Sequence, residues 1–245
     1  IATTFTPDHM SPTVSALVQG HFGIKNAGTM DLNSGCTGFA YGLCTADALI
    51  TSGHMRKVLV IASETISKVV DYKDRNTCIL FGDAAVAFLL EQDEKGSFIS
   101  SSFASDGKLA STVSCSNFSD SINGVEVGKK RLFQQEGKFL YEYVVKNIPG
   151  GIMNLVKKAG LTLDNIDWFI PHSANLRMIK AIDERLGFPL EKTLISNEFY
   201  GNTSSVTIPL AIWMALEENR IKKGDKMLLY GFGGGLTHGG VIIEW

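Results

Sequence analysis

The run Lys57-Val58-Leu59-Val60-Ile61-Ala62 sets the reading of everything around it. It is apolar without polar alternation, rich in β-branched residues and too short for a helix, so it predicts a short buried strand. Working upstream, Cys36 opens a helix that runs to a stop at Gly53, and Met30–Leu32 forms a short strand. Before that, Ser11-Pro12 supplies an N-cap and first-turn proline for a helix to about His21, ended by Gly23. Ile1–Thr4 reads as the end of a strand, and Ala84–Glu91 follows as another after a long polar loop. The order is strand, helix, strand, helix, strand, strand.

That order recurs further along. Ile166–Ile170 is a strand, Ala174–Leu186 a helix with Leu176, Ile179, Ile182 and Leu186 on one side, and Thr193–Ser196 a strand. A helix from about Thr203 to Asn219, the strand Lys226–Tyr230, a glycine-rich turn and the strand Gly240–Trp245 complete it. Ahead of this second copy lie the strand Ser97–Ala104, a polar loop and a helical stretch from about Lys138 to Ala159. Pro149-Gly150-Gly151 is expected to break or kink that stretch. Alternation of this kind predicts an α/β fold with helices on the faces of its sheets. Two pseudo-repeated βαβαββ halves, residues 1–95 and 96–245, would stack as α-β-α-β-α layers, the first half lacking its opening βα unit. No sequence identity between the halves is apparent.

Composition narrows the function classes. With 245 residues, 44 % hydrophobic and 20 % charged, the chain has the make-up of a globular protein. Its net charge of −2, with no basic stripe, gives no nucleic-acid footprint. The longest apolar runs, Val58–Ala62 and Ala84–Leu90, are too short to span a membrane. Ile1-Ala2-Thr3-Thr4-Phe5 has no basic lead-in, so no signal peptide is read and the chain is expected to begin mid-element. The four cysteines form no C-x-x-C pair, so neither a metal site nor a disulfide framework is expected, and reduced thiols fit a cytoplasmic protein.

In folds of this class chemistry gathers where strands end and helices begin. Cys36, in Asn33-Ser34-Gly35-Cys36-Thr37-Gly38-Phe39, stands at such a helix start, where backbone N–H groups lower a thiol pKa; the alternative is a small core residue. His172, in Pro171-His172-Ser173-Ala174-Asn175, follows a strand and suits a base or hydrogen-bond donor, or a ring bonded to a backbone carbonyl. Asn202, in Tyr200-Gly201-Asn202-Thr203-Ser204, alone reads as a helix cap. The repeated order brings these three to matching positions, which pseudo-twofold packing would join. Gly231-Phe232-Gly233-Gly234-Gly235 after a strand offers bare N–H groups for an oxyanion, or a plain hairpin turn.

Taken together, Gly35-Cys36-Thr37-Gly38-Phe39, Phe81-Gly82-Asp83-Ala84, Pro171-His172-Ser173-Ala174-Asn175-Leu176-Arg177, Gly201-Asn202-Thr203-Ser204 and Gly231-Phe232-Gly233-Gly234-Gly235 make the chain resemble the 3-oxoacyl-[acyl-carrier-protein] synthase III family of the thiolase fold. The resemblance runs from Ile1 to Trp245. It implies a decarboxylative condensation that starts fatty-acid synthesis, with Cys36, His172 and Asn202 as the catalytic triad and the Cys36 and Gly234 amides as oxyanion hole. It further implies Arg75, Asn175 and Phe232 along the coenzyme A and pantetheine path, and Arg177 with Lys180 as the patch that docks acyl carrier protein. Acyl-CoA would be a substrate, with no resident cofactor and no metal, and the enzyme a homodimer.

Two departures accompany the resemblance. The family's N-terminal segment is missing ahead of Ile1, including a strand taken to lie mid-sheet and a tryptophan that stacks on adenine, so a gap at the centre of the first sheet is expected. His238 stands where many members carry tryptophan and is read as variation without a catalytic role. Ser11 falls near a mouth residue that crosses the dimer interface in the family, and its small side chain hints at a roomier pocket. Competing readings are a papain-like cysteine hydrolase, which shares the Cys, His, Asn order but lacks its local signature here, an acyl-CoA condensing enzyme or acyltransferase of secondary metabolism, and an inactive fragment.

Overall fold

A computed structural model describes all residues, Ile1–Trp245. Its first sheet runs β2-β1-β3-β4, from β1 (Ala2–Thr3), β2 (Asp31–Leu32), β3 (Lys57–Glu64) and β4 (Ala84–Glu91). The expected central gap is absent: β1 pairs in parallel with both β2 and β3, and β4 lies antiparallel on the far side of β3. The connection β1 to β2 moves one way across the sheet and β2 to β3 the other. Right-handed crossovers therefore place helix α1 (Val14–His21) and helix α2 (Gly38–Thr51) on opposite faces.

Helix α1 starts two residues later than the sequence suggests. Thr13, not Ser11, is its cap, accepting from the Ala16 N–H, while the Asp31 carboxylate receives the N–H groups of Val14 and Ser15. A carboxylate there complements the positive end of the helix.

The second sheet is built from β5 (Phe98–Ser105), β10 (Trp168–Pro171), β11 (Lys226–Gly233) and β12 (Thr237–Glu244), in the order β10-β11-β12-β5. The polar loop between them carries two small ribbons, β6 (Val113–Ser114) with β9 (Gln134–Gln135) and β7 (Ser121–Ile122) with β8 (Val125–Glu126). The expected strand at Thr193–Ser196 shrinks to one parallel bridge, Phe169 with Thr193, followed by a one-turn helix α5 (Asn197–Tyr200).

Helix α3 (Gly137–Lys158) runs on through Pro149 as one helix, so of the expected break or kink the break does not occur. Its buried face, Val144, Ile148, Ile152, Leu155 and Val156, belongs to the outer core with helix α4 (Leu176–Leu186), and that packing outweighs one lost backbone bond. Gly151 is needed for the fit, because a Cβ there would stand 2.2 Å from the Tyr230 hydroxyl. His238 occupies the same spot, its Nδ1 2.7 Å from that hydroxyl, a side-chain bond between β12 and β11 beneath Gly151.

Alternation along β11 assigns Met227 and Leu229 to an inner core and Leu228, Tyr230 and Phe232 to the outer one. The inner core lies between the sheets, where α2 and helix α6 (Thr207–Glu217) form the middle layer. Strand β3 is less enclosed than its apolar run implies: Val58, Val60 and Ala62 are buried, whereas Leu59 and Ile61 on the opposite face are half-buried. No helix is long and apolar enough to cross a membrane.

Candidate active site

Both middle-layer helices begin with a 3-10 turn, Gly35–Thr37 before α2 and Ser204–Val206 before α6, and the two turns pack together. Cys36 thus sits in the turn leading into α2 rather than on the helix itself. Strand β11 runs past it at close range. A Cβ on Gly231 would stand 2.8 Å from the Thr37 Cα, and one on Gly233 3.0 Å from the Cys36 sulfur. These glycines leave space for the turn that carries Cys36.

Asn202 is fixed by the Phe81-Gly82 segment. Its N–H donates to the Leu80 carbonyl at 2.8 Å, and the Gly82 N–H donates to its carbonyl at 3.1 Å. A Cβ on Gly82 would lie 2.1 Å from the Tyr200 carbonyl oxygen, so only glycine lets the strands approach. The Asn202 side-chain oxygen accepts from the Ser204 N–H at 2.8 Å, which leaves its amide N–H groups for a ligand.

His172 is held at the end of β10 by its N–H to the Tyr230 carbonyl, 2.8 Å, and its ring meets Phe232 edge-on at a centroid distance of 5.2 Å. Nδ1 lies 2.8 Å from the Thr207 hydroxyl. That hydroxyl donates its single proton to the Ser204 carbonyl at 2.9 Å, so Nδ1 carries a hydrogen and Nε2 is the acceptor in the neutral ring. Burial pushes the imidazole pKa down to about 3, which keeps the ring neutral at ordinary pH.

Cys36, His172, Asn202, Phe232 and Gly234 line one cavity of about 1000 Å³, with apolar walls from Leu80, Phe81 and Leu140 among others. Helix-start electrostatics alone predict a depressed Cys36 thiol. Instead, protein atoms crowd the sulfur and desolvation pushes its pKa up to about 12; the Ser204 hydroxyl opposes this at 3.4 Å, while the Glu64 carboxylate adds to it. Glu64 itself is buried at the end of β3 and raised by desolvation, and it accepts from Thr6 at 2.6 Å, Ser205 at 2.9 Å and Thr4 at 3.2 Å.

The residues assigned to ligand contacts separate. Asn175 and Arg177 line the cavity, although the Asn175 side-chain oxygen also caps α4 by accepting from the Met178 N–H at 2.9 Å. Arg75 is exposed and its neighbour Asn76 forms the wall instead, while Lys180 lies exposed outside the lining. Ser204, Thr207 and Glu64 escape sequence reasoning. Only the acid closing Ser63-Glu64, at the end of an apolar strand, signals one of them.

Comparison with known proteins fixes the family. Residues 30–107 match the model for 3-oxoacyl-[acyl-carrier-protein (ACP)] synthase III, and residues 156–245 match its C-terminal model. Beta-ketoacyl-[acyl-carrier-protein] synthase III 2 of Halalkalibacterium halodurans is 50 % identical over 246 residues, covering 100 % of this chain and 74 % of the relative. The chain belongs to the beta-ketoacyl-[acyl-carrier-protein] synthase III family. A crystal structure of such a synthase from Thermus thermophilus superposes with a TM-score of 0.95 at 37 % identity, over 100 % of this chain and 76 % of the other. The priming beta-ketosynthase of the R1128 polyketide pathway stands further off, at a TM-score of 0.88 and 30 % identity, over 99 % and 73 % of the two chains. The chain is thus a thiolase-fold acyltransferase that performs the condensation opening fatty-acid synthesis, and the secondary-metabolism reading fits less well.

Proposed function

We propose that the cavity joins an acyl group from acyl-coenzyme A to malonyl-[acyl-carrier protein] through an acyl-Cys36 intermediate. The convergence of Cys36, His172, Asn202 and Gly234 on one apolar cavity carries this reading. In the first half the Cys36 thiol gives its proton to Nε2 of His172 as the sulfur attacks the thioester carbonyl. The oxyanion draws on the backbone N–H groups of Cys36 and Gly234. The carbon–sulfur bond to coenzyme A then breaks, and the leaving thiolate takes the proton from Nε2.

In the second half the His172 hydrogen first passes by way of water from Nδ1 to Nε2, as the Thr207 hydroxyl turns from the Ser204 carbonyl to donate to Nδ1. The malonyl carboxylate then leaves as CO₂ and its electron pair passes into an enolate, whose oxygen accepts from Asn202 and from Nε2–H of His172. The enolate carbon attacks the acyl carbon, the electron pair of the broken bond returns to the Cys36 sulfur, and water reprotonates it. A hydroxyl partner suits this exchange. Thr207 receives from Nδ1–H in one tautomer and donates to a bare Nδ1 in the other, whereas a carboxylate would hold the ring in one state. In a papain-like hydrolase the asparagine orients the histidine, whereas here Nδ1 of His172 meets the Thr207 hydroxyl and the amide of Asn202 is left for a ligand.

Arg177 at the cavity mouth, with exposed Lys180 one turn on, would receive the acidic carrier protein, and Arg75 the outer end of coenzyme A. Met10, Phe22, Ile24 and Met30 leave large apolar side chains exposed on the N-terminal segment, which supports a homodimer, and we place the enzyme in the cytoplasm. The test is mass spectrometry of the Cys36 peptide after incubation with acetyl-coenzyme A, followed by addition of malonyl-carrier protein. An acyl adduct that is discharged only in the second step is expected. Release of free acid without the malonyl partner would instead favour hydrolysis. Arg177→Glu should abolish condensation with carrier protein, and unchanged condensation would defeat that docking role.

A further inference from the structure

Ser204 opens the turn before α6 with φ +52°, in the left-handed region where a side chain is strained and glycine is free. The twin turn before α2 opens with Gly35 at φ +50°, the same backbone conformation filled by the residue that suits it. A serine at the second position therefore needs a reason beyond the turn. Its hydroxyl has one polar partner, the Cys36 sulfur, and it is only 2 % exposed.

We propose that Ser204 is a further catalytic residue, its hydroxyl donating to the Cys36 sulfur whenever that sulfur carries negative charge. The role rests on Cys36 being the nucleophile proposed above. The hydroxyl would act twice: when the deprotonated sulfur attacks the acyl donor, and when the bond from acyl carbon to sulfur breaks and its electron pair returns to sulfur. No proton leaves Ser204 in either event. In a site where burial disfavours the thiolate, a hydrogen bond to the charged form is the available counterweight.

The strained backbone is held from several sides. The Ser204 N–H donates to Asn202 at 2.8 Å, its carbonyl receives Thr207, and the next residue, Ser205, donates to Glu64 at 2.9 Å. Glu64 is thus a positioning residue, fastening the turn to the end of β3.

The experiment is the pH dependence of iodoacetamide labelling at Cys36, read on its peptide, for the wild type, Ser204→Ala and Ser204→Gly. Both variants should label about 10- to 100-fold more slowly at pH 7, with the midpoint of the profile displaced upward, as expected for loss of a hydrogen bond to a charged group. Acyl transfer from acetyl-coenzyme A should fall in parallel. The glycine variant relieves the backbone, so it keeps the test open if the alanine variant folds poorly. A wild-type profile in Ser204→Gly, or recovery by glycine of what alanine loses, would overturn the proposal. Labelling needs no acyl donor, so a wild-type Cys36 that fails to accept an acyl group would sink the proposed function and leave the Ser204 result standing.

Discussion

Asn33-Ser34-Gly35-Cys36-Thr37 and Asn202-Thr203-Ser204-Ser205-Val206 are two copies of one device with different chemistry. In each, an asparagine oxygen accepts from the N–H two residues on, at 3.3 Å for Asn33 and 2.8 Å for Asn202, and the next three residues form the 3-10 turn that starts a middle-layer helix. Burial separates them. Asn33 is exposed, whereas Asn202 is half-buried in the lining of the cavity. In the proposed mechanism one copy delivers the nucleophile and the other the hydrogen bonds, so the duplicated backbone provides positions and the surroundings decide what they do.

The largest break in this pairing is expected from the asparagines. Asn202→Ala should lower malonyl decarboxylation by about 10²- to 10³-fold, the cost of one preorganised donor to a developing oxyanion, while acylation of Cys36 continues. Asn33→Ala should leave both half-reactions within a few-fold of wild type. Equal losses in the two variants, measured as CO₂ release and as acyl-peptide mass, would show that the asparagines act through the turns alone. Next comes Thr207→Val, which keeps the side-chain shape and removes the hydroxyl from Nδ1. A loss of about tenfold, greater in decarboxylation than in acylation, is expected. The ¹⁵N shifts of the His172 ring should move with it, and unchanged shifts would remove Thr207 from the mechanism.

A further effect falls on stability. His172 is depressed to about 3 in the folded protein from an ordinary value near 6.5, so the unfolded chain binds its proton first. Stability should therefore fall as pH drops through the window from about 6.5 to about 3, by up to 1.4 kcal/mol per pH unit from this group. His172→Gln should show a shallower decline in denaturation midpoint over that range. Parallel curves for the two proteins would indicate that other groups govern acid unfolding.

Much of this architecture was legible because strand and helix leave different periods. The runs at Val58–Ala62, Ala84–Leu90 and Met227–Tyr230 read as strands by their shortness and apolar content, and the order of elements exposed the repeat. The Cys36, His172 and Asn202 positions followed from that order together with family motifs. Burial depends on what lies opposite, and here the reading failed. Nothing local revealed that crowding would reverse the helix-start effect on Cys36, or that the apolar face of α3 would carry Pro149 through intact. The kinship of the two turns was also hidden, since only the asparagine is common to both and the similarity lies in φ values and hydrogen bonds.

The sheets differ at their margins as well. Strand β5, the last of the second sheet, carries serine at four of its eight positions, whereas β4 is the last strand of the first. Its sequence, Ala84-Ala85-Val86-Ala87-Phe88-Leu89-Leu90-Glu91, has no proline and no charge before Glu91, and Leu89 is 57 % exposed. An unguarded apolar border of this kind is a template for cross-chain strand addition and hence for aggregation. In concentrated solution β4 is thus the first place where this chain should stick to others, and a lysine in place of Leu89 is the change most suited to keep it dispersed.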